Sequence, residues 1–166
     1  MRYVLASGSP RRRELFSKVV PEYEVIPATG EEVTTKLLPS EIVEELSYQK
    51  ASEIFYKNFT DSEDGLVVIG SDTVVSYNHR VLGKPTDRAD AFKMVQMLQG
   101  QTHSVYTGVT VFYVEGSEAK SFTFRLTVLS ASTLNISRKL TRKNLIPYSP
   151  WSAANLRITS VSPLIL

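Results

Sequence analysis

An α/β fold is predicted by two observations. Leu66-Val67-Val68-Ile69 is a run of four apolar residues, the mark of a strand buried on both faces, and it runs straight into Gly70-Ser71-Asp72-Thr73. Strand-like segments also alternate with helical patterns along most of the chain, beginning with Arg2–Ala6 and the helix that follows it. A carboxylate where a central strand leaves the core is the place where open α/β sheets hold ligands and catalytic groups. A length of 166 residues suits one domain, built as two lobes around one cleft if it is divided at all.

The totals exclude several classes. With 42% hydrophobic and 22% charged residues the chain has the composition of a soluble globular protein. A net charge of +2 gives no general reason to expect nucleic acid or a membrane surface as partner. No cysteine is present, so disulfides and thiolate metal sites are ruled out. The apolar run Tyr3–Ala6 is far too short for a signal peptide and no segment reaches membrane-spanning length, so the expected location is cytoplasmic. The charge is uneven, however. Residues 129–166 carry Arg138, Lys139, Arg142, Lys143 and Arg157 and no acid, leaving about −3 on residues 1–128. A boundary is expected there, with 1–128 as the main domain and 129–166 as a basic tail.

In order, Arg2–Ala6 reads as the first strand. Ser7-Gly8-Ser9-Pro10 leads into a helix, with Ser9 as N-cap and Pro10 at the first helical position. Arg11, Arg12 and Arg13 occupy the first turn, where the helix dipole favours anions. Either an external anion such as phosphate sits among them, or they are a solvated basic patch. Pro21–Pro27 is expected to be a second strand, followed by Gly30-Glu31-Glu32. These two acids can supply oxygen ligands to a divalent cation, although plain surface acids are the commoner outcome.

Ser40 is expected to cap the next helix, in which Ile42, Leu46, Lys50 and Ile54 share one stripe. Lys50 on that stripe either snorkels to the surface or reaches an anion in a cleft. Beyond the central strand, a polar break at Asn78-His79-Arg80 makes a hairpin that turns Lys84 back towards Asp72. The alternative is that Asp72 caps a turn and Lys84 is a solvated loop lysine. A third helix is expected from about Asp87 to Gln99, capped by Thr86 or Asp87 and stopped by Gly100, with Ala91, Phe92, Val95 and Leu98 as its apolar face. His103–Val114 and Phe122–Val128 alternate as two strands joined by a turn at Glu115-Gly116-Ser117. His103 lacks an evident acid partner and reads as structural.

Five of these segments, in this order and spacing, resemble the Maf family of nucleoside triphosphate pyrophosphatases. They are Leu5-Ala6-Ser7-Gly8-Ser9-Pro10-Arg11-Arg12, Lys50-Ala51, Gly70-Ser71-Asp72-Thr73, Gly83-Lys84-Pro85 and Ser104-Val105-Tyr106-Thr107-Gly108, and the resemblance covers about residues 3–128. It implies two lobes of a mixed, twisted sheet around a central cleft, similar to inosine triphosphate pyrophosphatase-like folds. It implies hydrolysis of a nucleoside triphosphate to monophosphate and pyrophosphate, with water attacking the α-phosphorus. The cofactor implied is a divalent cation, Mg²⁺ or Mn²⁺.

Carried over by matching position, Asp72 would accept the proton from water and join Glu31 or Glu32 as a metal ligand. Ser7, Ser9, Arg12, Lys50 and Lys84 would bind the triphosphate. Arg11 after Ser-Pro and Thr73 after the aspartate are similar to the branch acting on dTTP and UTP, with modified pyrimidine nucleotides such as 5-methyl-UTP or pseudo-UTP as substrates to be cleared. A homodimer is compatible with this reading. The family's later Asp-Lys-Ala-Gly-x-Tyr-x-Ile-Gln-Gly segment has no counterpart here; the acid-free tail stands in its place. That departure keeps a second function open, a catalytically impaired nucleotide-binding protein linked to septum formation or cell-division arrest.

Overall fold

The computed structural model describes residues 1–59, 65–116, 118–131 and 156–164; for 130, 131 and 156–164 it describes the backbone alone. The elements are β1 (Arg2–Ala6), α1 (Pro10–Phe16), β2 (Glu24–Val25), α2 (Pro39–Asn58), β3 (Leu66–Tyr77), β4 (Arg80–Leu82), α3 (Arg88–Leu98), β5 (Thr102–Glu115), β6 (Glu118–Ala131) and β7 (Leu156–Leu164). The seven strands form one mixed sheet in the order β2-β1-β3-β5-β6-β7, with β4 paired to β3. β1 is parallel to both β2 and β3, whereas β4 to β7 join by antiparallel pairing. The α/β class and mixed sheet match the sequence expectation.

Burial alternates along the two central strands, and α2 explains why. Leu66, Val68, Gly70 and Asp72 on β3, and Gly108, Thr110, Phe112 and Val114 on β5, are buried, while Val67, Ile69, Val109 and Val111 are only half-buried. The buried set points to α2, since alternate residues of a strand share a face. Two glycines let that helix sit on the sheet. A Cβ at Gly70 would lie 2.5 Å from the Ser47 carbonyl oxygen, and one at Gly108 would lie 2.1 Å from that of Val43. The core between the layers gathers Val4, Ala6, Ala51, Ile54, Phe55, Leu66, Val68, Phe112 and Val114. Within it, the Ser47, Thr110 and Thr123 hydroxyls form a chain at 2.9 Å spacing, so three buried polar groups satisfy one another.

Several local expectations need correction. The run Leu66–Ile69 is buried on one face rather than both, because α2 packs on one side of β3. Pro39 begins α2 and Leu38 is its N-cap, without a side-chain cap bond, so Ser40 lies inside the helix. The second strand is only Glu24–Val25. α3 is capped by Asp87, whose side chain accepts from the Asp90 amide at 2.8 Å, but of its apolar face only Leu98 is buried and Phe92 is 48% exposed. Ser9 and Pro10 open α1 as expected. Ser117, Arg138, Lys139, Arg142 and Lys143 lie outside the described residues; Arg157 falls on β7, which pairs with β6 from within the basic tail.

Candidate active site

The site lies where one edge of the central strand changes partner. β5 occupies one edge of β3 from Val67 to Ser76. On the other edge β1 pairs residues 66–70, and β4 pairs residues 75–77. Between them, on that edge, Ser71 to Val74 have no strand neighbour among the described residues, a gap of roughly 13 Å at the usual strand rise. Asp72 sits in that gap. It is not at the end of β3, which continues to Tyr77; the strand that ends there is β1, and its following loop enters the gap.

Three elements bring side chains to this point. From below, α2 supplies Lys50, whose Nζ donates to Asp72 Oδ1 at 2.5 Å and lies 3.3 Å from Glu32 Oε2. Both partners of the Lys50–Asp72 pair are largely buried, with side-chain exposures of 12% and 8%. From the hairpin side comes Lys84, which is 86% exposed and donates to Glu32 Oε1 at 3.2 Å. The turn that returns it uses positive φ at Asn78 (48°) and His79 (60°), the backbone of a two-residue hairpin whose twist matches its strands. The result is one line of alternating charge, Asp72, Lys50, Glu32, Lys84.

From the first turn of α1 comes Arg12. Its guanidinium donates to Ser7 Oγ and to Thr73 Oγ1, each at 3.4 Å. Thr73 in turn shares a 3.1 Å hydroxyl contact with Thr107 across the β3–β5 pair. Burial lowers the Arg12 pKa from its ordinary value, against the opposing pull of Asp72 and Glu32, so this cation sits close to both acids. Burial also pushes the Glu32 carboxyl up, but Lys50 and Lys84 outweigh it and hold the group below its ordinary value. Ser7 Oγ accepts from the Ser9 amide at 3.3 Å, and Ser9 caps α1, so these serines shape the loop around Arg12.

Not every expected residue joins. Arg11 turns to Glu14, one turn along α1, at 3.1 Å. Glu31 lines a separate groove of about 650 Å³ together with Tyr48, Gln49, Glu53, Tyr56 and Lys57. Among the described residues no cluster of three or more His, Cys, Asp or Glu is gathered as for a metal. Glu32 and Asp72 nevertheless both reach one cation, the Lys50 ammonium. A Mg²⁺-type ion needs only one or two carboxylates when substrate phosphates complete its shell, so this pair suits such an ion. Three side chains on α2, Glu45, Gln49 and Glu53, were not legible as site residues. They bond the segment 29–34 that carries Glu32, yet in sequence they are ordinary polar residues of an exposed helix face.

Arranged in this way, the site presents three cations against two carboxylates around a gap in a sheet, with one acid buried. Such a set suits a polyanion and a proton acceptor beside it. The Maf-like protein family matches residues 2–148, and the chain belongs to it. It is 48% identical over 120 residues to the dTTP/UTP pyrophosphatase of Agathobacter rectalis, covering 68% of this chain and 58% of that protein. It is 43% identical over 134 residues to the dTTP/UTP pyrophosphatase of Lachnoclostridium phytofermentans, covering 79% of this chain and 66% of the relative. The chain thus spans somewhat less than two thirds of the length of these relatives. Among solved structures, the Staphylococcus aureus Ham1 protein is similar over 79% of this chain and 72% of its own, at 16% identity and a TM-score of 0.43.

Proposed function

We propose that the chain hydrolyses pyrimidine nucleoside triphosphates, dTTP or UTP and their modified forms, to the monophosphate and pyrophosphate, as a cytoplasmic house-cleaning enzyme. The observation that carries this reading is the line Asp72–Lys50–Glu32–Lys84 with Arg12 beside it, set in the gap between β1 and β4. The names of the relatives supply the substrate class. Residues 1–128 contain every residue assigned a role, and 129–166 form the basic tail of the proposed division.

In this reading Arg12, Lys50 and Lys84 bind the triphosphate, and the Ser7–Ser9 loop and Thr73 keep Arg12 aimed at it. The bound phosphates compete with Asp72 and Glu32 for Lys50, so substrate entry draws the lysine off both acids. Asp72, buried and released from the Lys50 ammonium, then takes the proton of the attacking water. Its Oδ2 has no hydrogen-bond partner among the described residues, which leaves an acceptor for that water. Water oxygen bonds to the α-phosphorus, the α–β bridge breaks, and pyrophosphate leaves with the bond electrons. Glu32 and Asp72 would hold Mg²⁺ or Mn²⁺. The ion supplies charge neutralisation on the phosphate oxygens and a more acidic water.

The test is pyrophosphate release from UTP, dTTP, 5-methyl-UTP and ATP with and without added Mg²⁺ or Mn²⁺. Metal-dependent release from the pyrimidine nucleotides, abolished in Asp72→Asn, is the expected result. Release that is unchanged in Asp72→Asn removes the assigned proton acceptor.

A further inference from the structure

We propose that Glu53, with Gln49 one turn before it, is a positioning residue of this site: it clamps the segment Thr29–Thr34 to α2 so that Glu32 is held between Lys50 and Lys84. The segment lies between the end of β2 and the start of α2. Among the described residues, no backbone–backbone hydrogen bond ties any part of it to the rest of the fold. Its place is set by side chains of one helix ridge. Both Glu53 oxygens are engaged: Oε1 accepts from the Thr29 amide at 3.1 Å and the Thr29 hydroxyl at 3.2 Å, and Oε2 accepts from the Gly30 amide at 3.0 Å. Gln49 grips Val33 from both ends of its amide, accepting from Val33 N at 3.3 Å and donating to Val33 O at 2.6 Å. The Thr34 hydroxyl donates to Glu45 one turn further back.

Spacing and shape agree with this role. Glu45, Gln49 and Glu53 recur every four residues, so they form one ridge, and Lys57 extends it by donating to Glu53 at 2.6 Å. Gly30 is built to meet the ridge, since a Cβ there would lie 2.9 Å from Glu53 Oε2. Glu31 and Glu32 lie between the Gly30 and Val33 attachments, and Glu32 is the one of the segment that bonds the site's lysines among the described residues. Two fixed points on either side of a short, otherwise unanchored strip limit where the two residues between them can point. The Glu53 carboxyl, held down to about 2 by Lys57 and the Thr29 and Gly30 amides, stays ionised and keeps the clamp closed at any ordinary pH.

Amide exchange and side-chain contacts read by NMR in the full chain test the clamp without reference to catalysis. In Glu53→Ala, with the fold verified by retained amide protection of β3 and β5, amide exchange at Thr29, Gly30 and Val33 is expected to accelerate, and the nuclear Overhauser contact between the Glu32 and Lys50 side chains is expected to be lost. Gln49→Ala removes the Val33 grip and serves if Glu53→Ala does not fold. A folded variant of either kind that keeps the Glu32–Lys50 contact and the exchange rates of the natural chain overturns the proposal. A second arm rests on the pyrophosphatase reading. Loss of a residue supporting a ligand typically costs about tenfold or more in activity, so Glu53→Ala should lower kcat/KM for UTP by about that factor, and by no further factor in a Glu32→Gln background. Losses that multiply would assign Glu53 to the fold alone. If the natural chain releases no pyrophosphate, the functional reading fails while the exchange rates and the Glu32–Lys50 contact still decide the clamp.

Discussion

Asp72 and Lys50 show how much one ion pair can reveal. A carboxylate and an ammonium 2.5 Å apart, both largely buried, bring a large desolvation cost that their attraction offsets only while both are present. Lys50→Met therefore strands the Asp72 charge and is expected to lower stability by about 3 kcal/mol in urea unfolding. Asp72→Asn keeps the shape and removes one charge. It is expected to leave a folded protein and to reduce kcat for UTP by about 10²-fold or more, the range of a lost general base. Thermal melting separates the two effects: a Lys50→Met protein as stable as the natural chain would show that the pair is not desolvated. The lysine stripe was legible because Lys50 keeps the four-residue spacing of Ile42, Leu46 and Ile54. Its partner was legible only as a carboxylate beside an apolar run; that the two meet depends on α2 lying flat on β3, which no local pattern states.

At the scale of elements, α2 is the part that couples packing to chemistry. It rests on Gly70 and Gly108, presents Lys50 to the sheet, and carries the outward ridge that holds the Glu32 segment. Gly70→Ala inserts a methyl 2.5 Å from one carbonyl of the helix and 2.6 Å from the Ala51 amide, backbone atoms that cannot yield without moving the helix. A loss of about 3 kcal/mol or more is expected, at the upper end of overpacking penalties. The same shift carries Lys50 off Asp72, so turnover should fall further than the folded fraction does; an unchanged kcat per folded molecule would mean that α2 tolerates the displacement.

The ridge makes a separate prediction in acid. The Glu53 pKa is lowered from 4.5 to about 2, so the folded state binds this proton less readily than the unfolded chain. Its contribution to stability is complete above about pH 4.5 and is lost as pH falls towards 2. Glu32 is lowered as well and adds in the same sense. Unfolding measured between pH 5 and pH 2 should show this slope, and Glu53→Gln should flatten it. Sequence reading missed the ridge for a physical reason: polar residues four apart on a helix usually face water, and only a long-range contact with residues 29–34 gives them a task.

Taken whole, the described residues build a one-sided core. The alternation of buried and half-buried residues in β3 and β5 follows from a sheet whose α2 face is packed while residues such as Val67, Ile69, Val109 and Val111 on the other face stay half-buried. The apolar run Leu66–Ile69 looked two-sided because composition reports what a strand can bury, not what covers it. Phe55 and Phe124 measure the difference. Phe55 is fully buried and its ring lies 5.1 Å from Phe112 and 5.2 Å from Phe59, whereas Phe124 is 39% exposed and has its ring 4.8 Å from Phe122. Phe55→Ala removes a side chain from a closed layer and is expected to cost about 3–5 kcal/mol, the range for large-to-small changes in a core. Phe124→Ala removes a ring that still meets water, and a cost of about 1 kcal/mol is expected. Equilibrium urea unfolding of the two variants decides between a one-sided and a two-sided core. Equal losses would mean that the Phe124 face is closed in solution, and the stability of the sheet would then rest on both layers.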